Sequence, residues 1–138
     1  MPNSIEIVNA MMAKDYFSQW LGIKILEIKP GYSKLKMSVR KEMLNGFDIA
    51  HGGITYSLAD SALAFASNSH GQKSVSVETS ISHTKPLHEN DEIIAEAIEE
   101  HVSNKIGIYQ IKITKIATKE LVASFKGTVY RTSKTWQL

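Results

Sequence analysis

The sequence predicts an α+β fold formed by a single domain over residues 1–138. Three observations indicate this class: a helical pattern at the start, a central segment that is apolar or small on every side, and a two-residue alternation that continues to the end. The length is close to the commonest domain size, and no internal repeat, low-complexity stretch or linker interrupts the chain. We therefore expect one antiparallel sheet of about six strands packed on one long helix.

The composition is that of an ordinary globular protein. Hydrophobic residues make up 43% of the chain and charged residues 22%. The net charge is only +2 and like charges are not grouped, so nothing favours nucleic acid as a partner. The absence of cysteine excludes a disulfide scaffold and a thiolate zinc site. No stretch resembles a signal peptide or reaches membrane-spanning length, so we expect a cytoplasmic protein that binds no membrane.

One helix and one hairpin are predicted before the central segment. Asn3 and Glu6 have the spacing of a capping box, and apolar residues at helical spacing continue to Trp20–Leu21, so we expect an amphipathic helix that ends at Gly22. The apolar positions are Ile7, Met11, Met12, Phe17 and Trp20–Leu21. Residues 23–29 and 34–40 alternate on either side of KPGYS, which predicts a β-hairpin.

The central helix is predicted over residues 52–69, ending near Gly71, after a loop at 41–50. One apolar stripe continues around its cylinder, and the remaining positions are mostly Gly, Ser, Thr and Ala. The apolar positions are Ile54, Leu58, Ala59, Ala62, Leu63, Phe65 and Ala66. A helix that is apolar or small all round is buried, and its natural partner is an antiparallel sheet curled about it.

The rest of the chain alternates with period two. In VSVETSISH the odd positions Val75, Val77 and Ile81 are predicted to share one face of a strand. EIIAEAIEE, IGIYQIKIT and LVASFKGTVYRT follow at spacings typical of an antiparallel meander.

The segment MLNGFDIAHGGITYSLADSALAFASNSHG, residues 43–71, resembles the hot-dog acyl-CoA thioesterases, and most closely their phenylacetate-degradation branch. The likeness extends over nearly the whole chain, from the leading helix through LGI to the KP that follows the next strand. It implies a curved sheet wrapped around the central helix, with an N-terminal helix. It also implies a homodimer, usually paired into a tetramer, that hydrolyses acyl-CoA at sites shared between subunits, without a metal or cofactor.

The resemblance assigns roles to three residues. The backbone N–H of Gly52 becomes the oxyanion donor, Asp60 of the other subunit becomes the catalytic acid, and Asn45 orients water or substrate. A related hydroxybenzoyl-CoA branch has Glu in place of Asp60 and Thr in place of Ala64. Because this chain has Asp and Ala there, the resemblance favours the phenylacetate branch and an aryl-acetyl-CoA substrate, such as phenylacetyl-CoA or its ring-hydroxylated forms.

Five further residues are candidate substrate contacts, each with a structural alternative: His51, Gly53, Ser57, Lys85 and Pro86. His51 can equally cap or brace the loop, and Ser57 can simply pack. Lys85 is extended because Pro86 follows it; the resemblance places this region at the CoA nucleotide, whereas a solvated lysine at a strand end is the structural alternative.

Asn45, Met11 and Met12 also have structural alternatives. Asn45 precedes a glycine, so it can be only a turn former. Met11 and Met12 can line an acyl pocket, although filling the core is the commoner use of methionine.

The chemistry of the helix supports the shared site independently. Gly52 and Gly53 begin the helix, where the first N–H groups have no intrahelical partner and the dipole favours an anion. Asp60 lies ~12 Å further along by helical rise. One helix therefore does not readily serve both roles, but two antiparallel helices in a dimer can. We expect the carboxylate of Asp60 to lie in an interface cleft, because burying it unpaired in a core is costly.

Other functions fit the residues less well. An Asp in a helix is usually a solvated surface residue. A hydratase or dehydratase needs a catalytic His paired with an acid, which His51 and Asp60 do not match. A non-catalytic acyl-CoA-binding module is expected to lose the acid. The five histidines show no spacing typical of a metal site, so no metal is predicted.

Overall fold

The fold was analysed in a computed structural model, which describes residues 2–138. Its elements are α1 (Ser4–Met12), α2 (Tyr16–Leu21), β1 (Lys24–Lys29), β2 (Tyr32–Ser38), a short 3-10 helix (Lys41–Met43), α3 (Gly52–Asn68), β3 (Gln72–His83), β4 (Glu92–Val102), β5 (Ile106–Lys115) and β6 (Leu121–Thr135). The six strands form one antiparallel sheet in the order β1-β2-β4-β5-β6-β3. The predicted α+β class is confirmed.

The sheet wraps around α3. This helix contacts all six strands, which is possible only if the sheet curves about it. Every apolar position predicted to be buried on the helix is buried, and together with the inner faces of the strands these side chains form the core. Two buried hydroxyls attach neighbouring elements to α3: Ser18 bonds Ser61 at 2.8 Å, and Ser33 donates to the carbonyl of Ala62 at 2.7 Å. The predicted hot-dog arrangement is confirmed.

The N-terminal region differs from its prediction, because two helices replace one. The carboxylate of Asp15 accepts a hydrogen bond from the backbone N–H of Ser18 at 3.0 Å and so begins a new helix. The apolar faces of the two helices are therefore not continuous, and Phe17 and Trp20 stack on each other at the surface. The capping box at Asn3 and the end of the second helix at Gly22 are as predicted.

β3 corrects the prediction that Val75, Val77 and Ile81 share a face. The register of β3 against β6 shifts between Ser76 and Glu78, which leaves Val77 without a partner residue. A bulge of one residue reverses the alternation. Ile81 consequently packs towards the core, whereas Val75 and Val77 are 57% and 61% exposed.

Two strands, β1 and β3, form the edges of the sheet. β1 has six residues, and its pairing is interrupted between Ile25 and Glu27. β3 has twelve residues, pairs only with β6 within the described chain, and exposes two valines. A long edge with exposed apolar side chains is suited to pairing with another strand. Within residues 2–138, no helix is both long and apolar enough to cross a membrane.

Helix and sheet approach each other closely at Gly127 of β6. A Cβ added to this residue would lie 2.5 Å from Cδ2 of Leu63 on α3. We expect Gly127→Ala to lower the free energy of unfolding by ~1–3 kcal/mol, because buried Leu63 has little room to move. Chemical denaturation measures the change. Gly46→Ala is the matched control, since no atom lies within 4 Å of its added Cβ, and equal losses in both variants would contradict the proposed close contact.

Candidate active site

The backbone N–H of Gly52 is unused at the start of α3. His51 is the N-cap: its Nδ1 accepts a hydrogen bond from the N–H of Gly53 at 2.8 Å, and its carbonyl accepts from the N–H of Ile54 at 2.9 Å. The N–H of Gly52 has no acceptor within residues 2–138. The positive end of the helix dipole therefore presents the Gly52 N–H as an uncommitted donor.

Gly52 lies in the wall of a cavity of about 400 Å³. The cavity also brings together three other predicted residues, Asn45, Lys85 and Pro86. The remaining lining residues are Ile49, Ala50, Thr55, His83, Thr84, Leu87 and Val122. This lining contains a helix N-terminus, an amide and a lysine but no carboxylate, so it can hold an anionic or carbonyl group but contains no general base of the carboxylate type.

Asn45 organises the loop that leads to α3. Its Oδ1 accepts from the N–H of Phe47 at 2.8 Å and from that of Ile49 at 3.4 Å. The side-chain oxygen of Asn45 therefore stabilises a turn, as the structural alternative predicts. Its Nδ2 makes no hydrogen bond to the part of the chain that the structure describes, which leaves an amide donor at the cavity.

Lys85 is exposed at the mouth of the cavity and pairs with Glu120 at 2.7 Å. The hydrogen bond that Lys85 donates to Glu120, and then the charge of Glu120, raise the pKa of the Lys85 ammonium. Pro86 follows in the wall of the same cavity. The ammonium remains positive at neutral pH and accessible to an anionic ligand, although such a ligand must compete with Glu120.

Sequence reasoning missed His83 and Thr55, which adjoin Gly52. A Cβ added to Gly52 would lie 3.0 Å from Cε1 of His83, so the imidazole packs directly over the glycine. Thr55 Oγ1 donates to the Gly52 carbonyl at 3.0 Å and lies 3.3 Å from His83 Nε2. No local pattern marks His83, because its proximity to Gly52 arises only when the end of β3 crosses the start of α3.

Asp60 lies in a second cavity of about 410 Å³. Its carboxylate has no hydrogen-bonding or ionic partner among residues 2–138. Burial, and secondarily the charge of Asp15, raise the pKa of the Asp60 carboxyl above its ordinary value of 3.8. The other lining residues are Met11, Leu63, Ala64, Ser67, Asn68, Lys73, Ser74, Val75, Ser76, Val129 and Trp136. A half-buried carboxylate without a partner is unfavourable to the fold and available for chemistry.

The structure thus divides the predicted site residues between two places. Asn45, Gly52, Lys85 and Pro86 share the first cavity, and Asp60 is in the second. His51 and Gly53 bond each other at the helix start, and the hydroxyl of Ser57 donates to the Gly53 carbonyl at 2.6 Å. Among the described residues, no group of three or more His, Asp or Glu side chains is placed so that it could hold a metal ion.

Comparisons with known proteins agree with this architecture. The sequence matches the Thioesterase superfamily over residues 47–122. A protein of Archaeoglobus fulgidus is 44% identical over 124 residues, which cover 90% of this chain and 80% of that protein. Acyl-coenzyme A thioesterase PaaI of Escherichia coli is 36% identical over 123 residues, which cover 89% of this chain and 87% of that protein.

A solved structure extends the likeness to nearly the whole fold. The Escherichia coli PaaI protein from the phenylacetic acid degradation operon has a TM-score of 0.93 at 33% identity, covering 96% of this chain and 95% of that chain. The family match spans more than half of the sequence, and the relatives cover most of it. The chain therefore belongs to the thioesterase superfamily, has the hot-dog fold and is a thioester hydrolase.

Proposed function

We propose that this protein hydrolyses acyl-CoA thioesters, preferentially aryl-acetyl-CoA such as phenylacetyl-CoA or its ring-hydroxylated forms, at active sites shared between two subunits. One observation carries the proposal: an uncommitted donor, the Gly52 N–H, and an uncommitted carboxylate, Asp60, lie in separate cavities of the same chain. The similarity to PaaI of Escherichia coli, which is named an acyl-coenzyme A thioesterase, supports acyl-CoA as the substrate.

The edge strand β3 offers a way to join the two cavities. Two β3 strands that pair antiparallel about a two-fold axis place the His83 end of one beside the Gln72 end of the other. Residues 83–87 line the Gly52 cavity, and residues 73–76 line the Asp60 cavity. The same pairing covers the exposed valines of β3. A dimer of this form therefore combines the donor of one subunit with the carboxylate of its partner.

The two groups suffice for thioester hydrolysis. The Gly52 N–H donates to the carbonyl oxygen as negative charge develops there, an interaction typically worth roughly 10²–10³ in rate. The partner's Asp60 takes a proton from water, which attacks the carbonyl carbon. Alternatively, Asp60 attacks that carbon itself and water cleaves the resulting anhydride. In both routes the carbon–sulfur bond breaks, the CoA thiolate leaves and a free carboxylic acid forms. Both routes need Asp60 ionised.

The other residues have supporting roles in this proposal. The Nδ2 of Asn45 orients water or the thioester beside Gly52, and Lys85 with Pro86 meets the nucleotide part of CoA. His51 has an indirect role as the N-cap of α3. Its imidazole accepts the hydrogen bond of the Gly53 N–H, so that of the two glycine N–H groups only that of Gly52 is left for the substrate. Ser57 supports the first turn in the same way. Assembly of two dimers into a tetramer and a cytoplasmic location remain predictions from the sequence.

A thiol-release assay across acyl-CoA substrates tests the function. We expect phenylacetyl-CoA to have a higher kcat/KM than a straight-chain acyl-CoA of medium length. Asp60→Asn keeps the size of the side chain but removes its charge, so we expect kcat to fall roughly 10²–10⁴-fold with little change in KM. Retention of more than about a tenth of the wild-type kcat would show that the acid is structural. Binding without thiol release by the wild type would instead indicate an acyl-CoA-binding module.

Mixed dimers test whether the site is shared. Gly52 is the first residue of α3, where proline is tolerated, so Gly52→Pro removes the N–H without breaking the helix. Each of Asp60→Asn and Gly52→Pro should be nearly inactive alone. A dimer purified with one copy of each, through two affinity tags, contains one intact site and should recover about half of the wild-type activity.

The control variant is Gly52→Ala, which adds a carbon towards His83 as proline does but keeps the N–H. We expect it to retain much more activity than Gly52→Pro. An inactive mixed dimer would place Gly52 and Asp60 of the same chain in one site, and an active monomer in sedimentation would also contradict sharing.

The pH dependence of kcat/KM reports the ionisation of Asp60. Because burial raises the pKa of this carboxyl and only the ionised form is active, activity should fall as the pH decreases through a value above 3.8. Asp15→Asn removes the second cause of the shift but keeps an oxygen to cap α2. We expect this acid limb to move to lower pH in that variant, with kcat at pH 8 unchanged. An unmoved limb would assign it to another group.

A further inference from the structure

The cavity that holds Asp60 ends against a tryptophan. Its apolar walls are formed by Met11 of α1, Leu63 and Ala64 of α3, Val129 of β6, and Trp136, which follows β6 directly. Trp136 is the only aromatic residue of this lining within the described chain. The lining therefore offers apolar side chains to a ligand, with the carboxylate at one place and a flat indole at another.

Trp136 is held firmly, although only two residues follow it in the sequence. Its Nε1 donates to Oδ1 of Asn68 at 3.0 Å, and its backbone N–H donates to the carbonyl of Gly71 at 2.9 Å. Asn68 is only 3% exposed and also bonds both the N–H and the carbonyl of Ser74. The ammonium of Lys73 lies 4.8 Å from the centre of the indole. These contacts fix the ring as a rigid wall.

The position of this wall matches the acyl part of the substrate rather than CoA. The carbonyl carbon must lie at Asp60, and the larger CoA part extends towards the other cavity, where Gly52 and Lys85 lie. Asn68, which holds the indole, is two helical turns beyond Asp60, ~12 Å along α3. Ala64, halfway between them, is small. The carboxylate and the indole therefore bound a space within the cavity of about 410 Å³.

We propose that Trp136 is the specificity-determining wall of the acyl pocket, selecting acyl groups that end in a single aromatic ring and rejecting longer chains. The inference rests on the proposed function, because it takes Asp60 as the place of the carbonyl. An aromatic ring gains contact with the indole by stacking or edge-to-face packing. A long straight chain meets the same indole end-on.

The test compares kcat/KM for phenylacetyl-CoA, decanoyl-CoA and propionyl-CoA in the wild type, Trp136→Ala and Trp136→Phe. We expect Trp136→Ala to reduce the ratio of phenylacetyl-CoA to decanoyl-CoA about tenfold or more. Trp136→Phe should keep the ratio within about threefold, because an aromatic wall remains. Propionyl-CoA is too short to reach the indole and should be affected least. An unchanged ratio in Trp136→Ala would overturn the proposal.

Trp20 provides a matched control, because it is the only other tryptophan and lines neither cavity. It is exposed, and like Trp136 it has a cation beside its ring, since the guanidinium of Arg40 lies 4.9 Å from the ring centre. Trp20→Phe should leave all three kcat/KM values unchanged. In Trp20→Phe/Asp60→Asn, Trp136 is the only indole, so its fluorescence should change when phenylacetyl-CoA binds and not when free CoA binds. In Trp136→Phe/Asp60→Asn the remaining tryptophan is Trp20, so the fluorescence should change neither with phenylacetyl-CoA nor with free CoA.

These measurements separate the two claims. Hydrolysis of acyl-CoA with an unchanged ratio and no change in Trp136 fluorescence would overturn the role of Trp136 and leave the proposed function standing. If no acyl-CoA is hydrolysed, the proposed function fails, and the fluorescence titration still decides whether the acyl group meets Trp136: a change specific to phenylacetyl-CoA supports the wall, and no change rejects it.

Discussion

The structure depends on the burial of α3 inside a single curved sheet. A helix in contact with six strands must be narrow, and this constraint explains its small residues and the glycine of β6 that receives Leu63. Close packing on this scale leaves little freedom for the helix to shift. Both groups proposed for catalysis are on this one rigid element, Gly52 at its start and Asp60 two turns later. The fold therefore fixes their separation.

That fixed separation makes a second subunit necessary for the proposed chemistry. An oxyanion donor and a base must both reach the same carbonyl, and the helix holds them too far apart in one chain. In the proposed dimer the long edge of β3 supplies the means of pairing, and its bulge at Val77 turns two valines outward. The bulge at Val77 thus creates an apolar patch at the edge of the sheet where the proposed dimer pairs.

Asp60 illustrates the conflict between stability and activity. A half-buried carboxylate with no partner in the described chain weakens the fold, and the raised pKa of this group expresses that cost. The proposed catalysis uses the same property, because a poorly solvated carboxylate is a stronger base than one in water. The groups around the helix start have a complementary arrangement: the His51 cap consumes one glycine N–H and leaves its neighbour for the substrate.

The sequence by itself determined the class of the fold, the buried helix, the strands and the residues of the helix start, because periodicity and glycine or capping chemistry are local. The spacing of Gly52 and Asp60 also predicts a site shared between two chains, which stays a prediction. Only the tertiary structure decided what depends on distant segments meeting. The bulge at Val77, the imidazole of His83 over Gly52, and the attachment of Trp136 to Asn68 all arise from such meetings, because their partners are not neighbours in the chain. The second helix begins instead at a local cap, Asp15 bonded to Ser18, which the continuous helical spacing of the apolar residues concealed.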